Sequence, residues 1–217
     1  MRTPLQIGTH GWNYPAWQGA FYDPDLPPEW RLSWYANHLR AVLVPPDAAH
    51  RMDAARVQGW IEDTDPAFRF IAQIDATHLN QTGEDVPSSA VSPLVTAFAG
   101  QLDALVFCAS AGTPLDWAAL EALCSGNPMV PICVSGIASD TQSAEFGHCW
   151  YPEETTSLRD APYTIAFCAD GTLPTLQRII QTMQQTLTGS GALILTDPQR
   201  AYDHAREARM IADLLGA

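Results

Sequence analysis

Short apolar runs alternate with longer amphipathic segments along nearly the whole chain, and this alternation restricts the fold more than any other feature. The runs ALVF at residues 104–107 and ALIL at residues 192–195 are continuously apolar. Parallel strands that are buried on both faces have this composition. Because parallel neighbours need a crossover connection, usually a helix, the pattern predicts βα units around a parallel sheet.

The same periodicities predict the individual elements. Strands are expected at Leu5–Thr9, Ala41–Val44, Arg69–Ile74, Ala104–Phe107, Val130–Val134, Pro162–Phe167 and Ala192–Leu195, with a weaker eighth at Cys149–Tyr151. Helices are expected at Glu29–Leu39, Ala54–Thr64, Pro93–Leu102, Leu115–Cys124, Leu173–Thr186 and Pro198–Leu215, with Thr113–Pro114 and Asp197–Pro198 as helix starts. Residues 135–159 are the least regular stretch, with one short candidate helix at residues 141–146.

The size and charge of the chain limit its class. Its 217 residues suit one domain, residues 1–217. A formal charge of −13 opposes binding to nucleic acid and to anionic membranes. Five cysteines without C-x-x-C spacing favour reduced thiols, and no secretion signal or 18-residue apolar stretch is present, so we expect a soluble, cytoplasmic protein without a membrane span.

The segment IGTHGWNYPAWQGAFY at residues 7–22 carries a family pattern. It resembles the opening of the YecE-like proteins, domain-of-unknown-function family 72, which begin I-G-T-S-G-W-x-Y-x-x-W-x-G-x-F-Y-P. The resemblance implies a TIM-type (β/α)8 barrel. Since such barrels usually need about 250 residues, we expect a shortened, lean barrel that is incomplete or distorted around residues 135–160.

Further along, the chain keeps parts of the family pattern and loses its charged positions. Tyr35, Ala36, His38, Phe68, Arg69, Phe70, Thr77 and His78 match it. Leu43 and Pro45 replace a glutamate and an asparagine, Gln73 replaces a lysine, and Cys133, Ser135 and Gly136 replace a glutamate, an arginine and a histidine. These losses suggest a diverged member whose pocket was rebuilt or whose ancestral activity was lost.

Reacting groups in this fold follow the C-terminal ends of the strands. Thr9, His10, Trp12 and Tyr14 follow the first strand and are predicted to line the barrel mouth. Their rings could stack on a ligand. Alternatively, they could bury apolar area against the sheet.

Asp75 and His78 follow the third strand, where a carboxylate and an imidazole could act as an acid/base pair. With His10 and Asp197 they could converge on the barrel axis and hold a divalent cation such as zinc or manganese. A turn aspartate and a surface histidine are the simpler explanation. No local motif identifies a metal or a cofactor.

Further candidates follow the other strands. Cys108 and Cys168 could be nucleophiles, although neither has a basic neighbour, and buried inert thiols are the simpler reading. Asp170 and Asp197 occupy positions where many barrels bind phosphate. Turn formation and helix capping would also explain both aspartates.

Two functions remain open from these residues. The first is an enzyme acting on a small sugar-like or phosphorylated metabolite, with His78 or His10 as general base, Asp75 or Asp197 as orienting group or metal ligand, and Thr9, Trp12, Tyr14 and Asp170 completing the pocket. The second is a noncatalytic barrel that binds a metabolite or a protein. Nucleic-acid processing ranks last because of the charge.

Overall fold

The computed structural model describes residues 4–46, 52–76, 86–109, 115–136, 145–154 and 157–217. Eight parallel strands form a closed barrel in chain order, and β1 pairs with β8 to close it. The strands are β1 Gln6–His10, β2 Ala41–Val44, β3 Arg69–Asp75, β4 Leu102–Cys108, β5 Ile132–Ser135, β6 Gly147–Trp150, β7 Tyr163–Cys168 and β8 Ser190–Leu195. The expected TIM-type barrel is confirmed, including its weak eighth strand.

Helices surround this barrel. They are α1 Arg31–Ala36, α2 Ala54–Glu62, α3 Val86–Ala97, α4 Trp117–Gly126, α5 Leu173–Thr186 and α6 Ala201–Leu215, with 3₁₀ turns at Pro15–Trp17 and Pro28–Trp30. Between β5 and β7 the described residues contain no helix. None of the helices in the described ranges has the length and apolar character needed to cross a membrane.

β5, β6 and β7 pair in order, so the barrel is closed at the place where we expected it to be incomplete or distorted. The β5–β6 ladder there is short, since only Cys133 with Gly147 and Val134 with His148 are in register. A Cβ atom added at Gly147 would lie 2.3 Å from Cys133 Sγ. Only glycine therefore lets β6 approach β5 while the thiol fills the lumen. The candidate helix at residues 141–146 lies largely outside the described residues.

Four predicted helix starts differ from the structure. The first helix begins at Arg31 instead of Glu29, because a 3₁₀ turn at Pro28–Trp30 precedes it. The third helix covers Val86–Ala97. It therefore begins before the predicted Pro93, and the prediction that it extends to Leu102 was wrong. The fourth begins at Trp117, where Asp116 caps it by accepting a hydrogen bond from the Ala119 amide; Thr113 and Pro114 lie outside the described residues. The last begins at Ala201, because Asp197 forms a turn with Gln199 before it.

The core has two parts. The lumen of the barrel is filled by a compact set of side chains: Leu43, Ile71, Ala104, Val106, Cys133, Cys149, Tyr163, Ile165, Ala192 and Ile194. A larger apolar layer lies between the strands and the helices. Because strand residues alternate between these faces, the last inward-facing residue of each strand lies at the C-terminal mouth of the barrel.

Candidate functional site

A chain of hydrogen bonds links inward-facing side chains at the mouth. His10 Nε2 at the end of β1 lies 2.8 Å from Gln73 Oε1 on β3. The Gln73 amide nitrogen donates to Cys108 Sγ at the end of β4, and Ser135 Oγ on β5 donates to the same sulfur at 3.2 Å. Tyr151, after β6, bonds to Ser135. The chain thus follows the rim from β1 to the residue beyond β6.

The direction of these bonds fixes the histidine tautomer. Because the Gln73 oxygen can only accept, His10 Nε2 carries the proton. The Tyr14 hydroxyl donates to the backbone oxygen of His10, and its contact with His10 Nδ1 is 3.4 Å, longer than an ordinary hydrogen bond. Nδ1 is therefore the acceptor nitrogen of the ring, with the Tyr14 hydroxyl as its neighbour.

The thiol at the centre of the chain stays protonated at neutral pH. Burial raises the pKa of Cys108, the hydrogen bonds from Ser135 and Gln73 oppose that shift, and the neighbouring Cys149 and Asp75 add to it. A thiol that keeps its proton is a poor nucleophile. Cys108 therefore acts in the mouth as a neutral hydrogen-bonding group.

An aromatic pair forms the wall beside these polar groups. The rings of Tyr151 and Phe167, after β6 and on β7, stack with centroids 5.2 Å apart and an angle of 13°. Burial is the main reason that the pKa of the Tyr151 hydroxyl is raised, so the phenol is neutral. The mouth thus combines uncharged donors and acceptors with two stacked aromatic rings, and Asp75 at the end of β3 adds a carboxylate.

A carboxylate accepts hydrogen bonds from the backbone amides that follow β7. Glu153 Oε1 accepts hydrogen bonds from the amides of Ala169 and Asp170, at 2.8 and 2.7 Å. Many barrels use amides in this region to bind phosphate. Here an internal anion already satisfies them.

Two of the residues predicted to line the mouth lie outside the lumen. Thr9 is fully buried, and its hydroxyl donates to the Gly11 oxygen at 2.6 Å and contacts the Tyr35 hydroxyl of α1 at 3.0 Å. Trp12 packs edge-on against Trp60 of α2, with centroids 5.2 Å apart. Both side chains lie between β1 and the helices.

Other aromatic residues of the opening segment pack against the C-terminal helix α6 and the turn before it. Trp17 is fully buried, its indole donates to the Pro198 oxygen at 3.0 Å, and its ring lies 5.3 Å from that of Tyr202 on α6. Phe21 stacks on the same tyrosine at 5.1 Å. Packing therefore accounts for these rings, whereas the half-buried Tyr14 borders the mouth beside His10.

The two aspartates predicted near a phosphate take part in turns. Asp170 accepts hydrogen bonds from Thr175 Oγ1 at 2.8 Å and from the Thr172 amide at 3.1 Å, and these bonds, that of Thr175 first, lower its pKa. Asp197 accepts from the Gln199 amide at 2.9 Å. Both arrangements match the capping and turn explanation.

Of the predicted acid/base groups, the structure brings His10 and Asp75 to the same mouth. Asp75 shares the inward face of β3 with Gln73 and is close enough to Cys108 to raise its pKa. Thr77 and His78 lie outside the described residues. Within those residues, no three histidine, cysteine or acidic side chains are arranged to hold a metal ion.

Several mouth residues were not predicted from the sequence, because they are uncharged and carry no catalytic or metal-binding motif. Gln73 and Ser135 stood out only as losses from a family pattern, and Tyr151 and Phe167 only as strand residues. Their position was nevertheless visible, since every second residue of a strand faces the lumen.

Comparisons with known proteins agree with this architecture. The family model described as "Protein of unknown function DUF72" matches residues 6–134. A DUF72 protein from Thermotoga maritima aligns with a TM-score of 0.64 and 13% identity, covering 99% of this chain and 100% of its own. One from Enterococcus faecalis aligns with a TM-score of 0.64 and 14% identity, covering 98% and 96%.

A more distant likeness extends to an enzyme. An aldo-keto reductase from Klebsiella pneumoniae in complex with NADPH aligns with a TM-score of 0.53 and 14% identity, covering 98% of this chain and 86% of its own. At this identity the likeness concerns the barrel fold alone. No protein of curated function matches the chain in sequence.

Proposed function

Because this chain belongs to DUF72, a protein family of unknown function, we propose that its barrel binds a small, uncharged, sugar-like metabolite at the C-terminal mouth. One observation carries the proposal: the polar chain from His10 through Gln73, Cys108 and Ser135 lies beside the stacked rings of Tyr151 and Phe167. A sugar presents hydroxyl groups at its edge and an apolar face, and this mouth offers partners for both.

The chemistry of the mouth suits hydroxyl groups. A hydroxyl can donate and accept at once, so it can donate to His10 Nδ1 and accept from a neighbouring hydroxyl or amide. No described residue on the inward faces at the mouth is a lysine or an arginine, and Gln73 stands where the family pattern has a lysine. A neutral ligand does not require a cationic side chain for binding, so it suits these residues better than an anion does.

Two carboxylates at the mouth disfavour a phosphorylated ligand. Glu153 already bonds the amides of Ala169 and Asp170, and Asp75 adds a carboxylate on β3. An incoming phosphate would meet these negative charges inside a chain of net charge −13.

The protonated state of Cys108 and the fixed orientation of His10 favour binding over catalysis. A nucleophile or general base needs a pKa close to the working pH, whereas burial raises the pKa of the Cys108 thiol. His10 is held by its bond to Gln73, which orients it for recognition. Catalysis by His10 with Asp75 is the alternative, and turnover of a bound sugar would support it.

Calorimetric titration with neutral monosaccharides and with their phosphates tests the proposal. We expect saturable binding of at least one neutral sugar and no tighter binding of its phosphate. The variant Gln73→Met, which keeps the side-chain length but removes its hydrogen bonds, should weaken that binding about tenfold. The control Gln58→Met changes an exposed glutamine on α2 and should have no effect. Preference for the phosphates, or unchanged binding in Gln73→Met, would contradict it.

A further inference from the structure

Two exposed tryptophans lie one helical turn apart at the start of α1. Trp30 is 64% exposed and Trp34 is 36% exposed. Of the remaining tryptophans, Trp117 is half-buried and the others are buried, namely Trp12, Trp17, Trp60 and Trp150. Neighbouring exposed rings of this size commonly mark a binding surface.

The two rings border a groove of about 260 Å³ between α1 and the end of α2. Besides the rings and Leu26, the groove is lined by side chains that carry oxygen atoms: Glu29, Ser33, Asn37 and Asp63. It is separate from the barrel mouth, since none of these residues belongs to the polar chain there. A ligand in it would contact indole rings and carboxylates together.

One of the rings is held in place by the fold. The Trp34 indole donates a hydrogen bond to the Phe21 oxygen at 3.0 Å. Its ring also stacks on His38, with centroids 5.4 Å apart and an angle of 29°. Because the ring is already fixed, a ligand loses little binding energy in ordering it.

The charge in this groove is one-sided. Glu29 and Asp63 line it, and Glu62 is the last residue of α2, directly before Asp63. Partial desolvation raises the pKa of Asp63, whose side chain stays exposed, and the neighbouring Glu62 raises it further. None of the described residues that line the groove is basic; Arg56 lines the adjoining hollow beside Trp60.

We propose that this groove binds a small organic cation of the quaternary ammonium class. The indole face carries negative electrostatic potential, which attracts such a cation. Glu29 and Asp63 supply opposite charge. A second copy of the chain is a poor occupant, because each copy carries a net charge of −13 and the copies repel each other.

The test compares choline with its uncharged isostere 3,3-dimethylbutan-1-ol, by calorimetry and NMR titration of the intact protein at low salt. We expect choline to bind saturably and the isostere at least about fivefold more weakly. Added sodium chloride should weaken choline binding, since the carboxylates are exposed and salt screens them. Methyl glucoside serves as a neutral sugar probe in the same titrations. Equal binding of choline and its isostere, or tighter binding of methyl glucoside than of choline, would overturn the proposal.

Variants locate the site. Trp30→Ala and the isosteric Glu29→Gln should each weaken choline binding about fivefold, while Glu121→Gln on α4 serves as the matched control and should leave it unchanged. Glu29→Gln keeps size and shape, so it remains informative if Trp30→Ala perturbs folding. Wild-type affinity in both Trp30→Ala and Glu29→Gln would refute the assignment.

Discussion

His10 Nε2 on β1 lies 2.8 Å from Gln73 Oε1 on β3, so one hydrogen bond connects two strands that are not adjacent in the barrel. The bond passes in front of β2, where the inward residue is the apolar Leu43. Since the amide oxygen only accepts, it selects the Nε2-protonated form of the imidazole.

This geometry predicts the tautomer of His10. Nitrogen NMR of the neutral imidazole should show the proton on Nε2 in the wild-type protein. In Gln73→Met the acceptor is gone, so the Nδ1-protonated form should increase. A dominant Nδ1-protonated form in the wild type would contradict the arrangement.

The reactivity of Cys108 should follow its neighbours. Because burial raises the pKa of this thiol, its alkylation by iodoacetamide should be slow at pH 7 and should accelerate only at a higher pH than that of an ordinary exposed cysteine. Ser135→Ala removes a donor that stabilises the thiolate, so it should slow alkylation further at each pH. The site-specific rate can be measured by mass spectrometry, and faster alkylation in Ser135→Ala would disprove the account.

Stability should depend on pH through His148, which is 1% exposed on β6. Burial lowers its pKa, the nearby Arg159 lowers it further, and the Ser157 backbone opposes the shift. Below the unfolded pKa of about 6.5 the unfolded chain binds a proton that the folded chain does not. Folding stability should therefore fall as the pH drops below that value, by at most about 1.4 kcal/mol per pH unit.

Urea unfolding of the wild type and of His148→Gln between pH 5 and pH 8 measures this effect. The variant should lose that part of the pH dependence, whereas His38→Gln should keep it. Parallel stability curves for wild type and His148→Gln would show that the group does not contribute.

The aromatic opening segment should contribute strongly to stability. Trp17 is fully buried between the opening loop and α6, so Trp17→Ala should lower the free energy of unfolding by about 3–5 kcal/mol. Trp30→Ala, at an exposed tryptophan, should change it by less than about 0.5 kcal/mol. Chemical denaturation compares the two, and similar losses would argue against the packing role of Trp17.

Glu153 should determine whether the mouth accepts anions. Glu153→Ala frees the amides of Ala169 and Asp170, so the variant should be stabilised by millimolar inorganic phosphate in a thermal-shift assay, and the wild type should not. Glu154→Ala, which removes an adjacent exposed carboxylate, is the control. Equal stabilisation of wild type and Glu153→Ala by phosphate would mean that Glu153 does not block the site.

Local pattern was sufficient for the strands and for most helices. Continuous apolar runs such as ALIL at residues 192–195 carry their own signal, because burial on both faces demands it. Helix starts were less predictable. Asp197 before a proline has the composition of a cap, yet it forms a turn with Gln199, and α6 begins only at Ala201.

The sequence by itself determined the alternating strands and helices and the apolar lumen, since these follow from short-range periodicity. Tertiary structure alone decided that Thr9 turns outward to α1, that Glu153 reaches the amides after β7, and that Gln73 joins His10 to Cys108. The Thr9 contact spans the long loop between β1 and α1, and the other contacts join separate βα units, so no local pattern encodes them. They form only when barrel closure brings the strand ends together at one rim.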